Sequence, residues 1–202
     1  MQQQSEGGLR TRLVEVGVDL VARDGVEALS LREIARGAGV SHGAPRRYFP
    51  THQSLLAAIA QQGYRALARR IEPLLDEDAH PRAQVYELGR EYLAFARTNR
   101  GMFELMFRHD LLRGNQIGLR EDSLRLFEIL VQLVARAVTR ATTDRPPAVV
   151  AGALWANLQG IAQLTLWGSL QLATQTEDVD LLLRTAVEAH LPTPPRSEPT
   201  TC

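Results

Sequence analysis

Lysine is absent from this 202-residue chain: all 23 basic side chains are arginine, set against 23 carboxylates for a formal net charge of zero. No phosphate contact can therefore fall to a lysine. Cysteine occurs once, as Cys202 at the very end, which excludes an internal disulfide or a cysteine metal site and suits a reducing compartment. No segment is apolar for the roughly 18 residues of a membrane helix. The opening Met-Gln-Gln-Gln-Ser-Glu-Gly-Gly lacks the basic and apolar regions of a signal peptide, so no membrane partner and a cytoplasmic location are expected. Alternating apolar and polar runs are missing, as are internal repeats, and with them any signal for strands. Enzyme signatures are also missing: there is no glycine-rich phosphate loop, no nucleophile elbow, no His-x-x-x-His pair and no clustered carboxylates facing an apolar stripe. His109 beside Asp110 and His80 before Pro81 lack metal-ligand spacing. No catalytic residue, metal or cofactor is expected.

What is present is an uneven charge and a compact motif. Residues 1 to 71 hold ten arginines against six carboxylates, and the remainder thirteen against seventeen, so a basic head precedes an acidic body. Within the head, residues 30 to 49 read as two short helices joined by a glycine-bearing turn. Ser30 stands three residues before Glu33, the spacing of a capping box, and starts a helix at Leu31. Leu31, Ile34 and Ala35 share its inner face, Arg32, Glu33 and Arg36 its outer one, and Gly37 and Gly39 flank Ala38 where it must end. Val40 can plug the angle. Ser41 is placed to cap a second helix that opens on the small residues His42-Gly43-Ala44, which let bases approach, and continues with Arg46 and Arg47, able to grip phosphate or guanine edges. Tyr48 and Phe49 can anchor its far end. Pro45 falls where the first intrahelical N–H would be needed, so the start of this helix should be shifted or irregular. A first helix through Leu13, Gly17, Leu20 and Val21, ending at Gly25, precedes the pair. A longer fourth helix follows from Thr51, with Leu55, Leu56, Ile59, Gly63, Leu67 and Ile71 in one stripe.

These residues resemble the tetracycline-repressor (TetR) family of bacterial transcription regulators. The likeness is carried by Gly25, Ser30, Ile34, Ala35, Ala38, Gly39, Val40, Ser41, Gly43 and Phe49, and spans roughly residues 9 to 60. Arg46 replaces the tyrosine usual in the recognition helix and His52 the lysine usual at the start of the fourth helix. The resemblance implies phosphate contacts at both positions, with His52 sensitive to pH because neutral imidazole carries no charge. The expected DNA-binding set is Ser30, Arg32, Ser41, His42, Gly43, Ala44, Arg46, Arg47, Tyr48 and His52.

The body reads as helices between prolines: one from Pro81 to Gly101, a short one over Met102 to Leu112, another from Leu119 to Thr139, a segment apolar nearly all round from Val149 to Leu172, and a last helix from Val179 to Leu191. The Val149 to Leu172 segment should be deeply buried or paired with another subunit. The expected division is a disordered N-terminus over 1–8, a helix-turn-helix domain over 9–50, an effector-binding and dimerisation domain over 51–191 (51–72 connecting), and a disordered tail over 192–202. Trp155-Ala156-Asn157-Leu158-Gln159-Gly160 resembles a subgroup of TetR-type C-terminal domains with a Trp-x-x-x-His-Gly signature, Gln159 standing for the histidine. Tyr92, Phe103, Phe107, Phe127, Trp155, Gln159 and Gln163 are the candidate effector-lining residues. The expectation is thus an all-α protein with a three-helix head, a connecting helix and a C-terminal bundle. By resemblance it is a homodimeric repressor that leaves a double-stranded palindromic operator when a small, mostly apolar effector binds; the alternative is a helical ligand carrier or enzyme with a vestigial head.

Overall fold

The α-helices run between prolines, which enter them only as the first residue, at Pro81 and Pro147. The computed structural model describes residues 2–76, 78–138 and 143–192, and no strand occurs among them. The α-helices are α1 (Gln2–Asp24), α2 (Leu31–Gly37), α3 (His52–Ile71), α4 (Pro81–Thr98), α5 (Arg100–Met106), α6 (His109–Gly114), α7 (Leu119–Ala137), α8 (Pro147–Leu166), α9 (Ser169–Thr174) and α10 (Val179–His190). A single 3-10 turn, Ala44–Arg47, stands between α2 and α3. The all-α class is therefore as expected.

Two compact units result. The first takes the residues up to Arg70 together with Phe95–Leu126, and the second takes Ile71–Ala94 together with the residues from Phe127 on. This differs from a head closed at residue 50, because α5 packs on α1 from about eighty residues away and draws its segment into the same unit. Gly101 permits that approach: a Cβ there would lie 2.6 Å from the Val21 carbonyl oxygen. The core of this unit gathers Leu13, Ile34, Phe49, Leu55, Ile59 and Phe103, each almost wholly buried. Fully burying a side chain of this size contributes roughly 1.5–3 kcal/mol. Tyr64 is buried among them, donates its hydroxyl to the Met106 carbonyl at 2.8 Å, and meets the Phe107 ring edge-on at 5.9 Å. Burial pushes its phenol up to about 12.

In the second unit α8 packs against α10 and α9. The contact buries Val150, Ala151, Leu154, Leu158 and Ala162 of α8, while Leu183, Ala186 and Val187 of α10 are buried as well. Asp178 caps α10 by accepting from the Leu181 N–H at 2.9 Å. Buried Gln84 ties loop to helix, donating to the carbonyls of Leu74 (2.9 Å) and Asp76 (2.6 Å) and accepting from Arg136 (3.2 Å).

Four expectations are corrected. Helix α1 begins at Gln2, so helix occupies residues expected to be disordered; no proline bars it, and the turn beyond Gly8 is anchored by buried Leu13 and Val14. The apolar segment from Val149 to Leu172 breaks at Gly168, which turns left-handed (φ 72°) and separates α8 from α9. Deep burial, one of the two alternatives for that segment, holds on one side only, since Trp167 is 65% and Leu172 83% exposed, which leaves the other expectation, pairing with another subunit. Finally, α8 does have the length and composition of a membrane span. Its packing on α10, and the bond its Asn157 makes to His190, give it the partners of a bundle helix. The tail from residue 193, and Thr139 at the expected end of α7, lie outside the described residues.

Candidate nucleic-acid interface and cavity

The helix-turn-helix is built by local hydrogen bonding. Ser30 caps α2, its Oγ accepting from the Glu33 N–H at 3.1 Å. The reciprocal half of the expected capping box does not form. The Ser30 N–H donates to the Ala28 carbonyl (2.8 Å), and the Glu33 carboxylate instead receives Arg36, with Nε at 2.9 Å, whose hydrogen bonds hold that carboxyl below its usual range. At the other end Gly39 adopts φ 66°, its N–H bonds the Arg36 carbonyl (3.1 Å) and the Val40 N–H bonds the Ala35 carbonyl (3.0 Å). This pair of bonds is a Schellman closure, and it sets the direction in which the chain leaves α2.

The second helix is shorter than its spacing suggested. Ser41 does not cap it through its side chain; its carbonyl accepts from Ala44, and the helical residues are Ala44–Arg47 alone, in 3-10 geometry. Pro45 is the cause, since an α-helix opening at His42 would need the N–H that proline lacks. Pro45 is buried, and its carbonyl accepts from Tyr48 (3.0 Å) and Phe49 (2.9 Å). Phe49 is 1% exposed, with the Arg10 guanidinium 5.1 Å above its ring. Two buried anchors thus hold a turn whose arginines face outward.

Of the expected DNA-binding set, Arg32, Ser41, His42, Gly43, Arg46, Arg47 and His52 are exposed, and Ser30, Ala44 and Tyr48 are half-buried; all ten lie in the first unit. His52 has a structural task as well: its Nε2 lies 2.6 Å from the Leu29 carbonyl, so that nitrogen carries the proton and Nδ1 is left over. The bond ties the start of α3 to the segment that leads into α2. Thr51 and Ser54 cap α3 reciprocally, Ser54 N–H to Thr51 Oγ1 at 3.0 Å and Thr51 N–H to Ser54 Oγ at 3.2 Å. This cap was not foreseen, though Thr-x-x-Ser has the spacing of a capping box.

The candidate effector residues fall into separate groups. Phe103 and Phe107 meet in the first unit with ring centroids 4.8 Å apart and planes tilted by 55°. In the second unit Phe127 meets Trp155 edge-on at 6.0 Å, the Tyr92 hydroxyl donates to Gln159 Oε1, and Gln163 is half-buried. None of the seven lines the cavity of about 950 Å³ found in the first unit. That cavity is walled by one face of α1, one face of α3, the end of α4 and the start of α5. Sequence reasoning missed it because its lining is polar, with no aromatic cluster to mark it.

The chain matches two family models: one described as bacterial regulatory proteins of the tetR family over residues 13–59, and one described as a tetracyclin repressor-like C-terminal domain over residues 85–190. A solved structure of a protein of unknown function from Rhodococcus sp. RHA1 superposes with a TM-score of 0.75 at 29% identity, covering 91% of this chain and 93% of that one. The multidrug-binding protein EbrR, solved with imidazole, gives a TM-score of 0.61 at 26% identity over 94% of this chain and 98% of its own. The nucleoid occlusion factor SlmA of Marinobacter nauticus is 25% identical over 129 residues, 64% of this chain and 66% of that protein. The chain spans less than two thirds of the length of the curated relatives it matches.

Proposed function

The chain belongs to the tetR family of bacterial regulatory proteins, and we propose that it is a homodimeric repressor that an effector releases from a palindromic operator. Membership makes it a transcription regulator with a DNA-binding helix-turn-helix rather than an enzyme. The finer reading rests on one observation: Arg46 and Arg47 are exposed on a turn that buried Pro45 and Phe49 hold in place. Planar guanidinia on a rigid support can take phosphate oxygens or guanine edges at little ordering cost. Arg46 positions the turn on the phosphate backbone, and His42, Gly43 and Ala44, at the leading edge, read bases. Arg32, Arg47 and His52 add backbone contacts, with Ser30, Ser41 and Tyr48 beside them.

Two copies are needed to place two such turns in successive major grooves about 34 Å apart. The exposed apolar side chains of Trp155 in α8, Trp167 just after it, Leu172 in α9 and Leu181 in α10 supply a face for pairing. Release requires an effector that prefers the off-DNA conformation. A 100-fold preference supplies about 2.7 kcal/mol, so the two conformations lie within a few kcal/mol of each other. The protein works in the cytoplasm, where its operator is.

The test is DNA binding across a salt series by the wild type, Arg46→Ala and the double variant with Arg47→Ala. Arg46→Ala lowers affinity for all sequences and reduces the log–log salt slope by about 1. Site selection with Gly43→Ala yields a changed preferred sequence. Binding by the double variant equal to wild type would refute the assignment of this turn to DNA.

A further inference from the structure

The 950 Å³ cavity of the first unit carries an unbalanced charge. Five guanidinia line it, those of Arg10, Arg65, Arg69, Arg97 and Arg100, against two carboxylates, Glu15 and Asp19. Arg100 is paired with Glu104 at 3.1 Å and Arg10 lies over Phe49. Arg65, Arg69 and Arg97 have no ion-pair partner among the described residues. Uncompensated guanidinia around a concave wall concentrate positive potential in it. Apolar side chains share the wall with polar ones: Val14 and Val18 from α1, Ala66 from α3, and Met102 from α5 lie beside Thr11, Gln61 and Gln62. A volume of this size suits a small organic molecule.

We propose that this cleft is a binding site for an amphipathic organic anion, a carboxylate, sulfonate or phosphate ester carrying an apolar body. The acidic head group lies among Arg65, Arg69 and Arg97, whose planar forks bond such groups bidentately, and the apolar body lies along the α1 and α3 faces. A cation is disfavoured by the five-to-two excess of guanidinia. The assignment deepens the regulator reading, because α1 is both a wall of this cleft and the helix on which α2 packs. A ligand wedged between α1 and α3 acts directly on the elements that carry the DNA-reading turn. The expected effector-lining residues lie elsewhere, two of them, Tyr92 and Gln159, bonded to each other.

The experiment uses the full chain and the fluorescent anion 8-anilinonaphthalene-1-sulfonate, with N-phenyl-1-naphthylamine as its uncharged counterpart. Three variants are compared with wild type: Arg65→Gln with Arg69→Gln, Arg97→Gln, and Ala66→Trp, which fills the cleft without touching charge. The arginines are exposed, so helicity by circular dichroism stays at the wild-type level. Expected are saturable binding of the anion about tenfold or more tighter than the uncharged probe, a loss of about tenfold or more in the double arginine variant, and abolition by Ala66→Trp. Equal affinity for both probes overturns the proposal. So does anion binding indifferent to all three variants, which would place the probe at another surface. If instead the arginine variants keep the probe but lose DNA, their guanidinia serve phosphate and the proposal is likewise overturned. DNA affinity is measured without probe, so failure of the regulator reading registers separately.

Discussion

Replacing Gly101 by alanine tests how α5 is held against α1. The new Cβ would lie 2.6 Å from the Val21 carbonyl oxygen and 3.3 Å from both Gly25 Cα and Val21 Cγ2. Ordinary carbon–oxygen contacts are about 3.3–3.6 Å, so the approach is short by about 0.7 Å or more. The obstacle is backbone, and no rotamer change relieves it. The same carbonyl accepts the Gly25 N–H at 3.1 Å and closes the end of α1, so pushing it aside weakens that bond too. Overpacking of this kind costs about 1–3 kcal/mol. Alanine's higher helix propensity returns less than about 1 kcal/mol, since Gly101 sits at the second residue of α5. A net loss of about 1–2 kcal/mol lowers the melting temperature by about 2–8 °C in a chain of this size. The assay is thermal unfolding by circular dichroism, with Gly43→Ala as control. Gly43 has φ −82° and nothing within 4 Å of a built Cβ, so its substitution shifts stability by no more than about 0.5 kcal/mol. A Gly101→Ala protein melting within a degree of the wild type would refute the argument that backbone contact sets this interface.

Tyr64 gives a pH test. Its phenol titrates at about 12 in the folded chain against an ordinary value of 10.0, so the unfolded chain ionises first. The stabilisation is complete below pH 10 and is lost between pH 10 and 12, amounting to about 2.7 kcal/mol. Tyr64→Phe is about 1 kcal/mol less stable at pH 7 for loss of the bond to Met106, yet its urea midpoint falls less steeply above pH 10; parallel curves would count against burial as the cause. Joint substitution of Trp167 and Leu172 by glutamate places charge on the exposed apolar face of the second unit and shifts the chain from dimer to monomer mass by light scattering. A mass unaffected by the two charges would remove that face from the dimer interface. His52→Lys steepens the log–log salt dependence of DNA binding by about 1, by adding a full charge where imidazole stands; an unaltered slope would place His52 away from phosphate, leaving it the structural bond to Leu29.

Legibility followed the range of the interactions. The cap at Ser30, the left-handed closure at Gly39 and the disturbance at Pro45 all join residues within five positions, and each was readable from residue type and spacing. Where the reading failed, a competing partner had won: Glu33 took Arg36 instead of the Ser30 N–H. The irregular start expected at Pro45 extended to the whole second helix, which is a single 3-10 turn. The aromatic candidates for the effector site were chosen by type, but type does not tell which ring a side chain will meet. Phe103 met Phe107, and Phe127 met Trp155.

Order and type of helices, the caps, the turn and the outward arginines were determined by the chain's own local pattern, because backbone hydrogen bonding and apolar periodicity act over a few residues. Tertiary structure alone decided that α5 would close on α1 through Gly101, that Tyr64 would find the Met106 carbonyl, and that arginines from α1, α3, α4 and α5 would surround one cavity. Those outcomes depend on which surfaces face each other after packing. Residues forty to eighty positions apart carry no local signal of that meeting.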